Sequence, residues 1–476
     1  MESELEAAAG DLPVAFASAR KPLLAVVGRG LGVMSAFLVN AVIARLMPAG
    51  AFSDFQLLLT LLTPVSWIAV LGLNSSAVRL IGEETARAGT ASAIELTRQM
   101  LRIAATSALL SMPLWWILLW VGTHYLGFPL PGDALLLAVF VVTVALIGFQ
   151  QVVADCFFGH HEVAVAPLFT GGLMAGPVST LLFLGLFVGW AYVSRGDQAE
   201  ASYTAQGLGV ALHLRYPTLL QAISVLLMAL CISLPIASVV LRRMFQALAP
   251  APVPARRAID FARISKVGFA MLGLSISAYF LTVLVDVWIA GKMFRDAAGV
   301  ASVELDWYIA ARRLTFMAFI TLQLAGSLAA PGAALLYFSG KQAELQTLLR
   351  RYAWYGGLPA LIAVTILLAV PHFMLTSYLG PRFGEAASVV RILAIAPLFA
   401  AWAGPGGYAL AVTGHQNYSI VVSLLAGLFV VVAGFPAAVH WELHGLAAVS
   451  VIAFIVKHGA EWILARRLLG VWCHMY

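Results

Sequence analysis

Residues 417–439 read NYSIVVSLLAGLFVVVAGFPAAV, twenty-three positions without a single charge. As an α-helix this stretch is about 34 Å long at 1.5 Å per residue, enough to cross a hydrocarbon core of about 30 Å. A second apolar run, 443–469, follows after only His440, Trp441 and Glu442. Two such runs joined by so short a turn predict an antiparallel pair of membrane-spanning helices.

Working outward, ten more stretches qualify. The twelve cover roughly 22–46, 52–81, 100–122, 133–158, 164–190, 217–241, 264–290, 307–337, 353–379, 388–413, 417–439 and 443–469. The composition agrees: 62% of the 476 residues are hydrophobic and 11% charged, where a soluble domain carries about 25% charged residues. Residues 388–413 include Pro397 and the run Gly404-Pro405-Gly406-Gly407. Such breakers are tolerated in a membrane where neighbouring helices satisfy the freed backbone, so a broken tenth span is expected.

Loop charge sets the orientation. With the N-terminus inside, the inside segments hold seventeen Lys and Arg, the outside segments seven, and four (Arg29, Arg312, Arg313 and Lys457) fall within spans. This bias predicts both termini in the cytoplasm. Met1 to Ala19 is acidic and lacks the basic start of a signal peptide, and the run after Arg20 and Lys21 is too long for a signal core. It is read as an uncleaved first span.

The longest basic connection contains Ala249-Pro-Ala-Pro-Val-Pro254, a stiff spacer. It divides the chain into a tail (1–21), a six-helix lobe (22–241), a basic cytoplasmic linker (242–263), a second six-helix lobe (264–469) and a short cytoplasmic tail (470–476). The fourth span of each half ends in Gly-His, Gly159-His160 and Gly414-His415. Internal repeats of this kind are common in transporters, with the substrate site between the halves.

Several classes are excluded or disfavoured. The basic balance does not point to nucleic acid, because the cations sit between apolar runs. Cys156, Cys231 and Cys473 share no metal or disulfide spacing, and neither a metal nor another cofactor is expected. No Gly-x-x-x-x-Gly-Lys-Ser/Thr loop is present. The connection Gly82-Glu-Glu-Thr-Ala-Arg-Ala-Gly-Thr90 lacks the acidic-basic pattern usual between spans two and three of major-facilitator transporters. A membrane-embedded glycan polymerase or glycosyltransferase usually has a sizeable catalytic loop. The longest external segment here, Ala191 to Tyr216, is short but carries Arg195, Asp197, Glu200, His213 and Arg215.

The segment Gly28-Arg29-Gly30-Leu31-Gly32, then Asn40-Ala-Val-Ile-Ala-Arg45-Leu-Met-Pro48 and Phe52 to Gln56, resembles the opening of bacterial polysaccharide and O-antigen flippases. These belong to the multidrug/oligosaccharidyl-lipid/polysaccharide (MOP) exporter superfamily, which also holds the MATE drug exporters. Met47 stands where the family's turn usually has glycine, and Ala51-Phe52 where Gly-Tyr is usual. The resemblance implies an all-α, two-lobe membrane fold in the bacterial inner membrane. It implies that the chain flips a polyprenyl-pyrophosphate glycan and is not an enzyme. The implied partners are that lipid-linked glycan, membrane lipids, and the polymerase and glycosyltransferases of the same pathway. A drug/cation antiporter of the same superfamily is the alternative.

Charges inside the bilayer are costly and tend to face cavities or partners. Arg29, Arg312, Arg313 and Lys457 are therefore the candidate cavity cations for an anionic headgroup. Arg312 and Arg313 are adjacent, about 100° apart on a helix, so one can face a cavity while the other pairs with an acid such as Asp286. Lys457 and Glu461 have the spacing of an i,i+4 pair, with His458 as a further member of a relay. Asp286 and Asp155 are the candidate coupling carboxylates. Each site residue also has a plainer structural reading, as an interfacial anchor or an internal pair.

Overall fold

The computed structural model describes residues 20–128, 133–160, 165–169, 176–193, 219–248, 261–295 and 301–475, with Leu130 and Glu162 between them. The described residues are helical apart from turns and one isolated bridge between Arg295 and Ala301. The segment Ala191 to Tyr216 lies outside them beyond Val193, as do the spacer 249–260 and the N-terminal tail to Ala19.

The first lobe comprises α1 (Arg20–Leu46), α2 (Ala51–Ala69), α3 (Leu73–Tyr125), α4 (Ala134–Gly159), α5 (Ala166–Phe169), α6 (Pro177–Val193) and α7 (Leu219–Leu248). The second begins with α8 (Phe261–Tyr279), a π-helical turn (Phe280–Leu284) and α9 (Val285–Met293), which together form its first span. It continues with α10 (Val303–Phe338), α11 (Gln342–Ala369), α12 (Pro371–Tyr378), a 3₁₀ turn (Pro381–Ala386), α13 (Ala387–Leu393), α14 (Ile395–Ala403), α15 (Gly406–Val412) and α16 (Gln416–Leu469).

Among the described residues, seven helices are long and apolar enough to cross a membrane. The 54-residue α16 is long enough for two crossings and turns at Trp441 and Glu442, whose backbone leaves the helical region. With α10 and the shorter apolar stretches Gly30–Leu46, Pro177–Ala191 and Ile264–Tyr279, the architecture is an all-α membrane bundle of twelve spans in two lobes. Its outer surface is apolar: Met34 is 71% exposed, Leu110 80% and Val432 67%. A surface of that kind faces lipid, since in water it would be a large aggregation-prone patch.

Three boundaries differ from the sequence reading. The second span ends at Ala69, not near residue 81, because Leu71 (φ 55°) and Gly72 (φ 70°) turn the chain in left-handed conformations. A Cβ on Gly72 would lie 2.4 Å from the carbonyl oxygen of Gly268, so α8 crosses the turn backbone to backbone. The connection after it is helical and continues into the third span through a kink at Gly89 (φ 82°), so that span begins well before residue 100. The ninth span starts at Gln342, directly after the Gly340 turn, and ends at the helix break before Pro371. The tenth span is broken, as its prolines and glycines suggest: α14 stops at Gly404 (φ 76°) and α15 restarts after Pro405.

The carbonyl oxygen of Cys473 occupies the space where a Gly404 Cβ would stand, at 1.9 Å. Val471 and Cys473 are accordingly buried, and the Met475 amide donates to the Trp402 carbonyl at 3.0 Å. Residues 471–475 thus fold back onto the second lobe and do not hang from it as a free tail.

Candidate functional site

The buried ion pairs within the spans collect in the second lobe, on α9, α10 and the second half of α16. Arg312 and Arg313 diverge as adjacent helical residues must. Arg312 turns into the second lobe, its Nε 2.8 Å from the Asp286 carboxylate. The same carboxylate accepts from the Tyr308 hydroxyl at 2.9 Å, and the Arg312 guanidinium lies 5.2 Å from the centre of the Phe454 ring. Asp286 is 1% exposed. A fully desolvated carboxylate needs such partners, and here the arginine, the phenol and the Val287 amide at 2.9 Å supply them.

Arg313 turns the other way and crosses to the first lobe. Its Nη2 donates to the Thr60 hydroxyl of α2 at 3.2 Å, and the Tyr279 hydroxyl donates to the Thr60 carbonyl at 2.9 Å. Arg313 is half-buried, and among the described residues no carboxylate lies within ion-pair distance of it. It therefore contributes an unneutralised positive charge at the boundary between the lobes.

Lys457 and Glu461 form the pair their spacing suggests, with Nζ 3.1 Å from Oε2. Ser419 of the preceding crossing donates to the other carboxylate oxygen at 2.5 Å, and His458 Nδ1 stands 3.6 Å from Oε2. These residues line a cavity of about 360 Å³ inside the second lobe, otherwise walled by Phe316, Phe319, Phe454, Tyr408 and Gln323. Its wall includes Gly404, Pro405 and Gly407 of the broken span. A Cβ on Gly407 would lie 2.8 Å from Glu461 Oε2, so the break lets the backbone approach the carboxylate.

The remaining two candidates stand apart. Asp155 is half-buried near the end of α4, in the first lobe, and has no ion-pair partner among the described residues. The backbone of Arg29 lies in α1, but its side chain is outside the described residues. Of its flanking glycines, Gly28 packs on Pro167, with a Cβ reaching to 3.0 Å, whereas Gly30 opens onto empty space. The structure thus joins Arg312 to Asp286 and Lys457 to Glu461 and His458, and leaves Arg313 and Asp155 outside both clusters. Thr60, Tyr279, Tyr308 and Ser419 complete these networks and were not singled out in the sequence. A hydroxyl inside the apolar run Leu57-Leu58-Leu59-Thr60-Leu61-Leu62 is the one signal that pointed to any of them. Among the described residues no group of three His, Cys, Asp or Glu side chains is placed to hold a metal.

The fold is that of the MOP superfamily transporters. The chain superposes on a multidrug resistance MATE family transporter in an inward-facing conformation with a TM-score of 0.65 and 14% identity, over 94% of this chain and 98% of that one. It superposes on a MOP superfamily transporter from Pyrococcus furiosus, described as having a binding pocket of reverse polarity, with a TM-score of 0.61 and 15% identity over 95% of each chain. A MATE transporter in complex with MaD3S gives a TM-score of 0.63 and 13% identity over 94% of this chain and 96% of that one. No family model matches the sequence, and no curated protein is significantly similar to it.

Proposed function

We propose that this protein moves an anionic amphiphile, a lipid-linked oligosaccharide on polyprenyl pyrophosphate, across the bacterial inner membrane during polysaccharide export. It is proposed to do so as a transporter, without catalysis of its own. The observation that carries this reading is Arg313. Arg312 and Lys457 are neutralised by Asp286 and Glu461, whereas Arg313 reaches across the lobe boundary with only a hydroxyl as partner among the described residues. A permanent cation there attracts pyrophosphate, which Arg can grip in bidentate fashion, and repels an organic cation. Arg29 is proposed as a second contact on the strength of its place within α1. Asp155, the candidate carboxylate without a basic partner, is left as the one for a coupling ion.

The drug/cation antiporter has one observation in its favour. The second-lobe cavity is walled by aromatic rings and its charges are paired, a setting that suits a soft cation over a π-face.

The two readings separate in proteoliposomes. Translocation of a fluorescent polyprenyl-pyrophosphate glycan is expected, and Arg29→Ala should reduce it severely, with Arg29→Lys intermediate. Uptake of organic cations with no glycan movement would transfer the assignment to the antiporter.

A further inference from the structure

Beyond the bonds of Arg313 and Tyr279 to Thr60 in mid-span, the lobes are tied together at one end of the bundle, the end that the loop charges place outside. Gly50, which precedes α2, has no side chain with which to cap that helix. The cap comes from the other lobe. Asp306, in the first turn of α10, accepts from the Gly50 amide at 3.1 Å and the Ser53 amide at 3.2 Å, and also from the Ser53 hydroxyl. A carboxylate at a helix N-terminus satisfies orphan amides and meets the positive end of the helix dipole. Asp306 is 1% exposed, so the contact is desolvated and is lost whole when the lobes part.

Arg382 fastens the same point. Its Nη2 lies 3.9 Å from Asp306 and donates at 2.9 Å to the Ala44 carbonyl near the end of α1. Around these two, Arg295 pairs with Asp54 at 2.6 Å, Arg45 donates to the Ser377 carbonyl, and the Tyr378 hydroxyl donates to the Phe37 carbonyl at 2.6 Å. Every one of these bonds joins residues of the first lobe to residues of the second. Towards the opposite end, the described residues of the two lobes approach closely where the backbones of Gly72 and Gly268 cross.

We infer that Asp306, capping α2 in trans and braced by Arg382, is the latch that holds the two lobes together at this end of their boundary, and that opening requires Asp306 to leave the α2 N-terminus. The inference rests on the two-lobe fold and not on the identity of the cargo. Arg45, Arg295 and Arg382 therefore do more than bias topology: they bridge the lobes.

The test is accessibility, which can be read without knowing the cargo. A reporter Thr60→Cys is placed on α2, behind the latch, in a chain whose Cys156, Cys231 and Cys473 are replaced by Ala. In oriented vesicles, a membrane-impermeant maleimide added from the Asp306 side should label the reporter slowly. Adding Asp306→Ala should speed labelling about tenfold or more, and Arg382→Gln several-fold. Labelling within twofold of the background for both would overturn the inference. Should Asp306→Ala fail to accumulate in the membrane, Ser53→Cys with Asp306→Cys offers the converse test. Oxidation to the cross-lobe disulfide should stop transport of whichever probe the unmodified protein moves, and reduction should restore it. Undiminished transport by the oxidised form would equally overturn the inference. Failure of glycan transport with the accessibility change intact would count against the proposed cargo and leave the latch standing.

Discussion

The two lobes share a helical layout but fill their interiors differently. The first lobe uses neutral amides and hydroxyls. Gln150 accepts from Ser233 at 2.6 Å and donates to Ser179 at 3.3 Å, Gln56 donates to Asn40 at 2.7 Å, and Gln151 accepts from Trp67 at 2.9 Å. The second lobe uses ion pairs, Asp286 with Arg312 and Lys457 with Glu461. The difference matters because the two kinds of network fail differently. A hydroxyl that loses a side-chain partner can turn to a backbone carbonyl, as the Ser179 hydroxyl already does towards Gly176. A carboxylate that loses its cation is left charged in an apolar medium. The second lobe is thus the more sensitive half to single substitutions.

The largest expected effect follows directly. Asp286→Leu leaves Arg312 buried without its carboxylate, a loss of about 3–5 kcal/mol for a broken buried pair. Adding Arg312→Met should recover most of it, because removing both charges is often neutral. Unfolding in detergent, monitored across the single and double variants, checks this. Equal losses in both would mean that the two residues are not energetically coupled.

Next comes Lys457→Met. Glu461 keeps the Ser419 hydroxyl and has His458 beside it, so the expected loss is that of one charge-assisted hydrogen bond, about 1.5–3 kcal/mol. In the first lobe, Gln150→Leu should cost less, about 0.6 kcal/mol per bond lost and at most about 1.7, the average and the upper end for interhelical hydrogen bonds in membranes. A Gln150 variant less stable than the Lys457 variant would reverse the contrast between the lobes.

How far this was visible in the sequence depends on distance along the chain. The spans follow from local apolarity, and the Lys457–Glu461 pair from a spacing of four. Even the parting of Arg312 and Arg313 is local, since adjacent residues on a helix cannot face the same way. The cap of α2 by Asp306 joins residues 253 apart. Nothing near Asp306 marks it, and Gly50 announces only that a cap is missing. Arg45, Arg295 and Arg382 looked like ordinary loop cations, because a positive-inside count weighs charge without asking what each one touches. The turn at Leu71 was hidden for another reason: a leucine with positive φ is held there by its surroundings and not by its own preference.

Arg313 should give the smallest effect on stability and a large one on transport, and this separates a residue kept for cargo from one kept for packing. Its bond to Thr60 is to a neutral hydroxyl at 3.2 Å, and among the described residues its charge has no carboxylate to leave behind. Arg313→Ala therefore removes one modest hydrogen bond, worth about 0.5–1.5 kcal/mol, and also relieves the desolvation of a half-buried cation. The two changes oppose each other, so unfolding should be close to that of the unmodified protein. Transport should still fall by an order of magnitude or more if the guanidinium holds the cargo's pyrophosphate. Arg313→Lys should recover part of it, since Lys keeps the charge but lacks the planar fork. Both quantities are to be measured on the same purified preparation, unfolding in detergent and glycan translocation after reconstitution. If stability falls as far as in Asp286→Leu, Arg313 belongs with the structural pairs. Unchanged stability with full transport would remove it from the cargo path and leave the anionic-cargo reading without its main support in the structure.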